Sequence, residues 1–513
     1  MTDTTHYASD DNQEGVYIPK AAQFERDMDW DGYDITRQDT IIFDKRANTH
    51  FVYDDIAALL DTVQGRKDLE KMLEMFFTYQ VERLDTLESY AHGKNSGIRS
   101  GDRRIEKNKA DYRISHNFGG YISRFATSYM ISKPVTITYS GSEDDEGTGD
   151  LDDVKEINRI NDVDATNYEL AFDASVYGRA FEFHYRRKDK TDDLIVRINP
   201  QEMFVIRDKT VEKKIIGAVH CPVFDGEIEL TIYTDTNIYK FPAVDATNIK
   251  VGDATKVKNP YGRVQVVEWW NNRYREGDFE KEMSIIDAYD SAQSDTANYM
   301  SDLNDALLIL TGDIPYSVGK LKEMKDANIL ALETGITASG GQTTADAKYI
   351  YKQYDVQGAE AYKERLLNDM FLLSGIVKIS DENFGTQSGV ALKYKLFGLQ
   401  QLKETKTTFF RRALRQRYSI IQDMRAKNGG EKIDANMLEF TFHENLPEDV
   451  WTEIKTYIEV GGELSQETLR ENSSFTTNKK EVERLEAEDN SRRGLSMEEI
   501  AFFNAQNGLN SED

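Results

Sequence analysis

Cysteine is almost absent from this chain of 513 residues, and its histidines do not cluster. The single cysteine, Cys221, cannot form an internal disulfide, and the seven histidines are scattered along the sequence. A zinc site of the Cys/His type needs about four ligands at short paired spacings. The sequence therefore predicts no disulfide, no metal site and no cofactor.

Long apolar runs are missing as well. No stretch approaches the ~18–20 apolar residues that a membrane-spanning helix requires. The first residues, MTDTTHYASDDNQEG, are acidic and lack the apolar core of a signal peptide. We therefore expect a soluble protein, made in a reducing compartment and without a membrane partner. The low numbers of proline (8) and glycine (33) exclude collagen-like and low-complexity chains.

Positive charge is in the minority. The chain has 64 Lys and Arg against 91 Asp and Glu, which gives a net charge of −27. A protein that simply coats DNA would carry the opposite sign, because its affinity comes from neutralising phosphates. The 27 Tyr, 24 Phe and 4 Trp residues can fill a sizeable core, which excludes global disorder.

Motifs of the common enzyme classes do not occur. The sequence has no G-x-S-x-G, H-E-x-x-H or G-x-G-x-x-G, and the segment from Gly312 to Leu321 departs from a phosphate-binding loop in its spacing and in its missing hydroxyl. We expect no enzymatic activity and no catalytic residue. The segment from Asp27 to Gln38 begins like a calcium loop but ends on glutamine where that loop requires glutamate, so a solvated acidic arm is the favoured interpretation.

Apolar periodicity predicts a mixed α+β, helix-rich fold. Spacings of three and four predict helices over 66–92, 284–310, 358–375 and 389–427. Alternating apolar residues predict strands over 180–185, 194–198, 227–233 and 263–270, with Trp269 and Trp270 in the core. The acidic segment 142–153 is predicted to be a loop. Gly398 and the threonines after it predict a kink in the longest helix.

Positive charge concentrates in that longest helix, where residues 393–427 carry ten bases and two acids. Such a helix can contact nucleic acid, an acidic surface of a neighbouring subunit, or acidic groups of its own chain. The same alternatives apply to the basic segment 99–113. The residues considered for a contact with DNA or a neighbouring subunit are Lys393, Lys395, Lys403, Lys406, Arg411 and Arg412.

The order of these parts resembles a known family. The stretches that carry the resemblance lie between residues 60 and 430: RISHNFGGYISRFATSYMISKPVTITYSG (113–141), ASVYGRAFEFHYR (174–186), INPQEMFVIRD (198–208), SIIDAYDSAQSDTANYMSD (284–302) and QSGVALKYKLFGLQQL (387–402). In this order they resemble the portal (connector) proteins of tailed double-stranded DNA bacteriophages, of the long-tailed siphophage type.

The resemblance implies a phage portal fold and a ring of twelve subunits around a central channel at one capsid vertex. It divides the chain into an acidic N-terminal arm (1–59), an α/β wing (60–282), a first stem helix (283–312), a clip (313–355), a second stem helix (356–376), a tunnel loop (377–388), a long kinked wing helix with its return strand (389–445), and an acidic, helical crown (446–513). The loop residues that would face DNA are Lys378, Ser380, Asp381, Glu382, Asn383, Phe384, Gly385, Thr386 and Gln387.

The resemblance also implies a non-enzymatic role in procapsid assembly, terminase docking, and genome packaging, retention and ejection. The implied partners are further copies of the chain, double-stranded DNA, the terminase motor, the scaffold protein, the major capsid protein and a head-completion adaptor. The protein would assemble in the host cytoplasm and belong to the virion. Two alternatives stay open: a metal-dependent nuclease built on the acidic clusters, and a capsid adaptor that does not enclose DNA.

Overall fold

The computed structural model divides the chain into two compact units, Met1–Asn445 and Leu446–Asp513. The residues that the structure describes all lie in the first unit. They are 51–100, 111–140, 148–187, 192–302, 307–311, 346–350, 355–378, 389–428 and 433–443, with isolated positions between 317 and 323. Residues 1–50 of the predicted acidic N-terminal arm and the whole predicted crown lie outside these residues. Residues 51–59 of the arm are described and contribute a strand and the start of a helix to the fold.

Helices dominate the beginning and the end of the described residues, and a run of strands lies between them. The α-helices are α1 (Ile56–Asp61), α2 (Val63–Met75), α3 (Glu82–Ala91), α4 (Ser96–Arg99), α5 (Phe118–Ile131), α6 (Thr148–Ile160), α7 (Val163–Tyr177), α8 (Met283–Asp302), α9 (Val356–Ser374) and α10 (Gly389–Asn428). A π-helical segment, Phe76–Val81, joins α2 to α3. None of the helices in these ranges has both the length and the apolar character needed to cross a membrane.

The strands form several small sheets. They are β1 (Phe51–Val52), β2 (Thr136–Tyr139), β3 (Arg179–Tyr185), β4 (Leu194–Ile198), β5 (Met203–Arg207), β6 (Ile215–His220), β7 (Val223–Phe224), β8 (Glu227–Ile228), β9 (Thr231–Thr234), β10 (Asn237–Lys240), β11 (Val244–Asp245), β12 (Thr255–Lys258), β13 (Val266–Trp270), β14 (Leu307–Thr311), β15 (Asp346–Ile350) and β16 (Leu438–Thr441). The largest sheet has the order β1-β5-β6-β9-β10-β12, and a second has the order β13-β3-β4.

The six-stranded sheet packs against α1 and α2. Side-chain caps start both helices: Asp55 accepts a hydrogen bond from the backbone N–H of Ala57, and Thr62 accepts one from Gly65. The apolar faces of the helices lie on Phe204 and neighbouring strand residues. Each leucine buried in this way contributes ~1.5–3 kcal/mol relative to an exposed one. The predicted helix over 66–92 is confirmed, apart from the change of helix type in its middle.

The sheet β13-β3-β4 is central because it joins α7 and α10. The chain leaves α7 at Gly178, where φ is +83° and an added Cβ would lie 1.9 Å from the carbonyl oxygen of Arg275. Only glycine fits this close approach. On β13, Trp269 is buried, and its ring centroid lies 4.4 Å from that of Phe410 on α10. The core position predicted for Trp269 is confirmed, whereas Trp270 is half-buried.

The first predicted stem helix is shorter in the structure than the sequence indicates. Helix α8 ends at Asp302, and β14 pairs antiparallel with β15, with Leu307 opposite Ile350. The prediction of one helix over 284–310, and with it the range 283–312, is therefore wrong in its last part. A short apolar run such as LLILT fits a strand as well as a helix, and here a partner strand almost forty residues later decides.

Other boundaries agree more closely. Helices α9 and α10 confirm the predictions for 358–375 and 389–427 within two residues at each end. The predicted loop over 142–153 is wrong from Thr148 onward, where α6 begins. The apolar face of that helix, with Val154 and Ile157 buried, compensates for its many acidic residues. The predicted strand over 227–233 is divided between β8 and β9.

Candidate functional site

One face of the basic helix α10 lies on the sheet β13-β3-β4. Its buried residues recur at helical spacing, from Leu396 and Leu399 through Phe410 and Leu414 to Ile421. Several of its positive charges also face inward, so each of them needs a partner in place of water. The partners decide whether these bases can serve DNA or another subunit.

Arg417 of α10 forms a fully buried ion pair with Glu182 of β3. The guanidinium donates to both carboxylate oxygens, with the shortest contact at 2.6 Å, and both side chains are inaccessible to solvent. Burial raises the pKa of Glu182, but the charges of Arg417 and His184 outweigh it and lower that pKa to about 2. His184 Nε2 lies 2.7 Å from the same carboxylate.

Lys406, which precedes Arg417 on α10, is also buried, and its ammonium group also contacts partners within the chain. It lies 2.5 Å from Asp278 and donates to the side chain of Asn271. Asn271 in turn donates to Asp278 at 2.8 Å, so each of the three groups contacts the other two. Lys403, a turn before, is buried with its ammonium 6.0 Å from the ring centre of Tyr129.

The end of α10 carries a third set of pairs. Arg425 contacts Asp193 at 2.7 Å and Asp153 at 3.1 Å, and Asp423 accepts a hydrogen bond from Arg263 at 2.6 Å. The acids belong to α6 and to the segment before β4, which are thereby fixed to the helix. Arg425 is thus neutralised inside its own chain, as Lys406 and Arg417 are.

The six bases singled out in the sequence therefore have different environments. Lys403 and Lys406 are buried within the chain and do not present their charge on the surface. Arg411 lies 5.6 Å from the ring centre of Phe442, and the exposed Arg412 lies 4.9 Å from that of Trp270. The side chains of Lys393 and Lys395 lie outside the described residues.

The segment 111–117 is held along α8 by a ladder of side-chain-to-backbone hydrogen bonds. Every second residue of the segment donates its backbone N–H to a side chain of the helix. The three pairs are Tyr112 with Asn298 (2.7 Å), Ile114 with Ser294 (2.9 Å) and His116 with Asp290 (3.1 Å). Asn298 and Ser294 also donate to the carbonyl groups of the same residues, at longer distances.

The ladder works because two repeats coincide. Four residues of helix rise ~6 Å, and two residues of extended chain advance ~6.6 Å. Side chains spaced by four on α8 therefore meet alternate backbone groups of an antiparallel extended segment. Asp290 closes the ladder at one end, where its second oxygen accepts from the buried amide of Asn95 at 2.5 Å.

Fewer side chains are buried in helix α9 and in the part of α10 from Leu396 to Thr405. In α9 the buried side chains are Lys363, Met370 and Ser374, on the face toward α8. Large apolar side chains remain exposed: Tyr362 (49 %), Leu372 (77 %), Leu373 (65 %) and, on α10, Phe397 (59 %). Large exposed apolar side chains concentrated on two successive helices are typical of an interface with another protein.

Comparison with known proteins agrees with this arrangement. The family model described as "Phage portal protein, SPP1 Gp6-like" matches residues 74–494. The chain belongs to the phage portal protein family. The portal protein of Clostridium phage phiCD119 is 25 % identical over 360 residues, which cover 64 % of this chain and 76 % of that protein. The portal protein of Bacillus phage SPP1 is 22 % identical over 417 residues, which cover 76 % and 79 %.

Matches among solved structures include two necks of GTA particles. The neck of a native GTA particle computed with C12 symmetry matches with a TM-score of 0.41 and 10 % identity, covering 78 % of this chain and 91 % of that one. The neck of an empty GTA particle computed with C6 symmetry matches with a TM-score of 0.40 and 12 % identity, covering 69 % and 88 %. As a portal protein, the chain is a structural component of the phage virion.

The portal's predicted tunnel loop connects α9 to α10. Gly375 caps the C-terminus of α9, and its φ of +69° is the left-handed conformation typical of a glycine C-cap. The Lys378 ammonium lies 3.5 Å from the side-chain oxygen of Asn368. The other predicted loop residues, Ser380, Asp381, Glu382, Asn383, Phe384, Gly385, Thr386 and Gln387, lie outside the described residues.

Metal ligands do not gather in the part of the portal chain that the structure describes, where no three His, Cys, Asp or Glu side chains are placed to share an ion. The segment from Asp27 to Gln38 lies outside that part. Cys221 is buried, and burial raises the pKa of its thiol.

Replacing Glu282 by Gln, at the base of α8, is expected to stabilise the portal protein at alkaline pH. Burial raises the pKa of Glu282 to about 7. Above that pH the folded protein holds a buried carboxylate, a cost that disappears below the unfolded pKa of 4.5. The urea midpoint of Glu282→Gln should therefore exceed that of the wild type at pH 8, and the gain should shrink toward pH 5.

The exposed Glu212 provides the control for this measurement. Glu212→Gln should change the midpoint little, and equally at both pH values. A gain for Glu282→Gln that stays constant from pH 8 to pH 5 would contradict burial as its cause.

Sequence reasoning missed the groups that carry most of this geometry. In the sequence, Glu182 is only one polar position in an alternating strand. Asp290, Ser294 and Asn298 are only polar residues of a predicted helix. Their spacing of four is a detectable signal: three hydrogen-bonding side chains at i, i+4 and i+8 mark a helix face that holds something other than apolar core.

Proposed function

We propose that copies of this portal protein close into a ring of twelve around a channel for double-stranded DNA at one capsid vertex. In this role the ring nucleates procapsid assembly, docks the terminase motor, passes DNA inward during packaging, then retains and releases it. Its further partners are the scaffold protein, the major capsid protein and a head-completion adaptor. ATP hydrolysis belongs to the terminase, and assembly takes place in the host cytoplasm.

The exposed apolar surface of α9 and early α10 supports the ring. Leu372, Leu373 and Phe397 flank the loop between the two helices, and in the isolated chain they face water. Covering each such side chain contributes ~1.5–3 kcal/mol. In a ring, every copy offers this surface to the next one, so the same contact repeats until the ring closes.

The parts of the portal are assigned accordingly. We assign residues 60–282 to the wing, α8 and α9 to the stem, and 377–388 to the tunnel loop. The first stem helix ends at Asp302 rather than at 312, so the strands β14 and β15 belong to the clip, up to residue 355. We assign residues 446–513 to the crown.

The charge distribution suits a channel through which DNA slides. A strongly negative protein repels phosphates, which lowers nonspecific affinity for DNA. The basic helix α10 does not reverse this effect, because Lys406, Arg417 and Arg425 are neutralised within the chain. Contacts with DNA are thereby left to a few exposed positions, among which we place the tunnel loop.

The double variant Leu372→Glu, Leu373→Glu is expected to prevent ring closure. Charges placed on both leucines oppose burial between subunits, and loss of a central interface contact weakens association at least ~30-fold. Negative-stain microscopy and mass determination on the same sample should show closed rings for the wild type. The variant should show single chains of 58.8 kDa.

Val211→Glu serves as the matched control, since Val211 is a fully exposed apolar residue in a turn of the wing. It should form rings as the wild type does, and circular dichroism should show that both variants are folded. Intact rings of the double variant would refute α9 as the ring contact. Single chains of wild type at high concentration, with scaffold protein present, would refute the ring itself.

A further inference from the structure

An excess of buried positive charge surrounds Glu268 on β13. Three guanidinium groups approach its carboxylate: Arg207 at 2.6 Å, Arg275 at 3.2 Å and Arg179 at 3.8 Å. All four side chains are 10 % or less exposed. One carboxylate therefore neutralises only one of three buried positive charges, although the chain as a whole is strongly acidic.

A fourth arginine joins the cluster through the indole ring of Trp270. The guanidinium carbons of Arg275, Arg412 and Arg207 lie 3.8, 4.9 and 5.6 Å from the ring centre. Cation–π contacts reduce the cost of placing these groups together but do not neutralise them. Four guanidinium groups against one carboxylate leave three positive charges. The nearby pair of Arg83 and Glu280 adds one charge of each sign and does not change this excess.

Burial and mutual repulsion both act on these arginines. Burial, with the charges of Arg275 and Arg83 acting in the same direction and Glu268 opposing them, lowers the pKa of Arg179 to about 9. The pKa of Arg275 is lowered first by burial and then by Arg207 and Arg412, while Glu268 opposes the shift. A buried cluster under this repulsion gains free energy when an anion arrives.

Donors for an anion are already in place. Arg207 uses one terminal nitrogen on the carbonyl of Lys213 and the other on Glu268, while its Nε is buried without a hydrogen-bond partner. Arg207 is one of the residues that line a space of about 20 Å³, together with Glu268, Trp270, Phe409, Arg412, Ala413 and Gln416. Both oxygens of Glu268 are occupied by arginines, so the carboxylate is shielded from an incoming anion.

We propose that this space binds one oxyanion, held by Arg412 and Gln416 at its mouth and by Arg207 at its base. A planar guanidinium matches the oxygen spacing of carboxylate and phosphate groups. The space has room for about one water-sized atom, so one oxygen of the anion enters it while the rest of the group lies at the mouth, beside Arg412 and Gln416. Two sources supply that chemistry: inorganic phosphate, or a carboxylate side chain of a second copy of this chain.

The test is a titration of the full-length protein with sodium phosphate at constant ionic strength, balanced with sodium chloride. The readout is the thermal unfolding midpoint, together with heats of phosphate binding. Phosphate stabilises many proteins without a site, so wild type is compared with Arg412→Gln and with Arg415→Gln, which changes an exposed arginine of the same helix. Gln416→Leu is a second variant at the mouth.

We expect wild type and Arg415→Gln to bind phosphate equally, and Arg412→Gln and Gln416→Leu to bind it at least ~10-fold more weakly. If a carboxylate of a second copy is the occupant, the phosphate response appears in dilute single chains and disappears in assembled protein. If inorganic phosphate is the occupant, both states respond alike. Equal responses of all four proteins would overturn the site, whether or not rings form.

Discussion

Arg417→Ala is expected to lower the free energy of unfolding by about 3–5 kcal/mol, the largest stability effect predicted for this chain. The substitution removes the cation but leaves Glu182 buried on β3. The low pKa of Glu182 depends on Arg417 first and on His184 second, against the opposing effect of burial. Without the arginine, the carboxylate must either stay charged in a nonpolar surrounding or take up a proton.

Urea denaturation of the purified chain measures this loss. Arg415→Ala is the matched control, because Arg415 lies on the solvent side of the same helix, two residues away. It should shift the midpoint by less than ~0.5 kcal/mol. The double variant Arg417→Met, Glu182→Leu should recover much of the stability, since apolar replacement of both partners removes the buried charge. A loss below ~1 kcal/mol for Arg417→Ala would contradict a dry ion pair.

Asp290→Ala is the second substitution with a large expected effect, at least ~2 kcal/mol. Asp290 is fully buried and accepts hydrogen bonds from the backbone of His116 and the side chain of Asn95. Alanine leaves the backbone N–H of His116 without this acceptor and removes one of the two acceptors of the Asn95 amide, whose other acceptor is the carbonyl of His116. An orphaned donor in a buried site costs ~1–3 kcal/mol. The last rung of the ladder is lost, so the segment 111–117 should detach from α8 more often.

Limited trypsin digestion with mass spectrometry reports that detachment directly. Cleavage after Arg113 should accelerate in Asp290→Ala, whereas Asp295→Ala, an exposed acid on the same helix, should be cut at the wild-type rate. Equal rates for the three proteins would show that the ladder does not hold the segment. A global loss of stability without faster cleavage at Arg113 would assign Asp290 a role in the core only.

Periodicity predicted the elements whose burial follows one repeat. Helices α9 and α10 and the strands β3 and β4 appear where the three-to-four or two-residue pattern places them, because the apolar residues of each keep one repeat along the element. The pattern failed where a distant partner decides, as at β14, whose apolar run pairs with β15. It also failed at α6, whose acidic start resembles a loop until Val154 and Ile157 are seen in the core.

The partners of the charged residues on the basic helix could not be predicted from the sequence, for a different reason. The sequence shows the charges of Lys406, Arg417 and Arg425, but their acidic partners lie at least 128 residues away along the chain. Local pattern contains no information about such pairs, so contacts within the chain, with a neighbour and with DNA could not be separated. The family, in contrast, was recognisable from the order of its parts, which does not depend on any single contact.

The long helix α10 has a mechanical consequence. It is one continuous helix of 40 residues, ~60 Å long, and its ion pairs at Lys406, Arg417 and Arg425 fix it to other parts of the chain. A force on its first turns therefore acts along the helix axis on these ion pairs. We expect the helix to transmit such a force to the sheet around Glu182 by its axial stiffness.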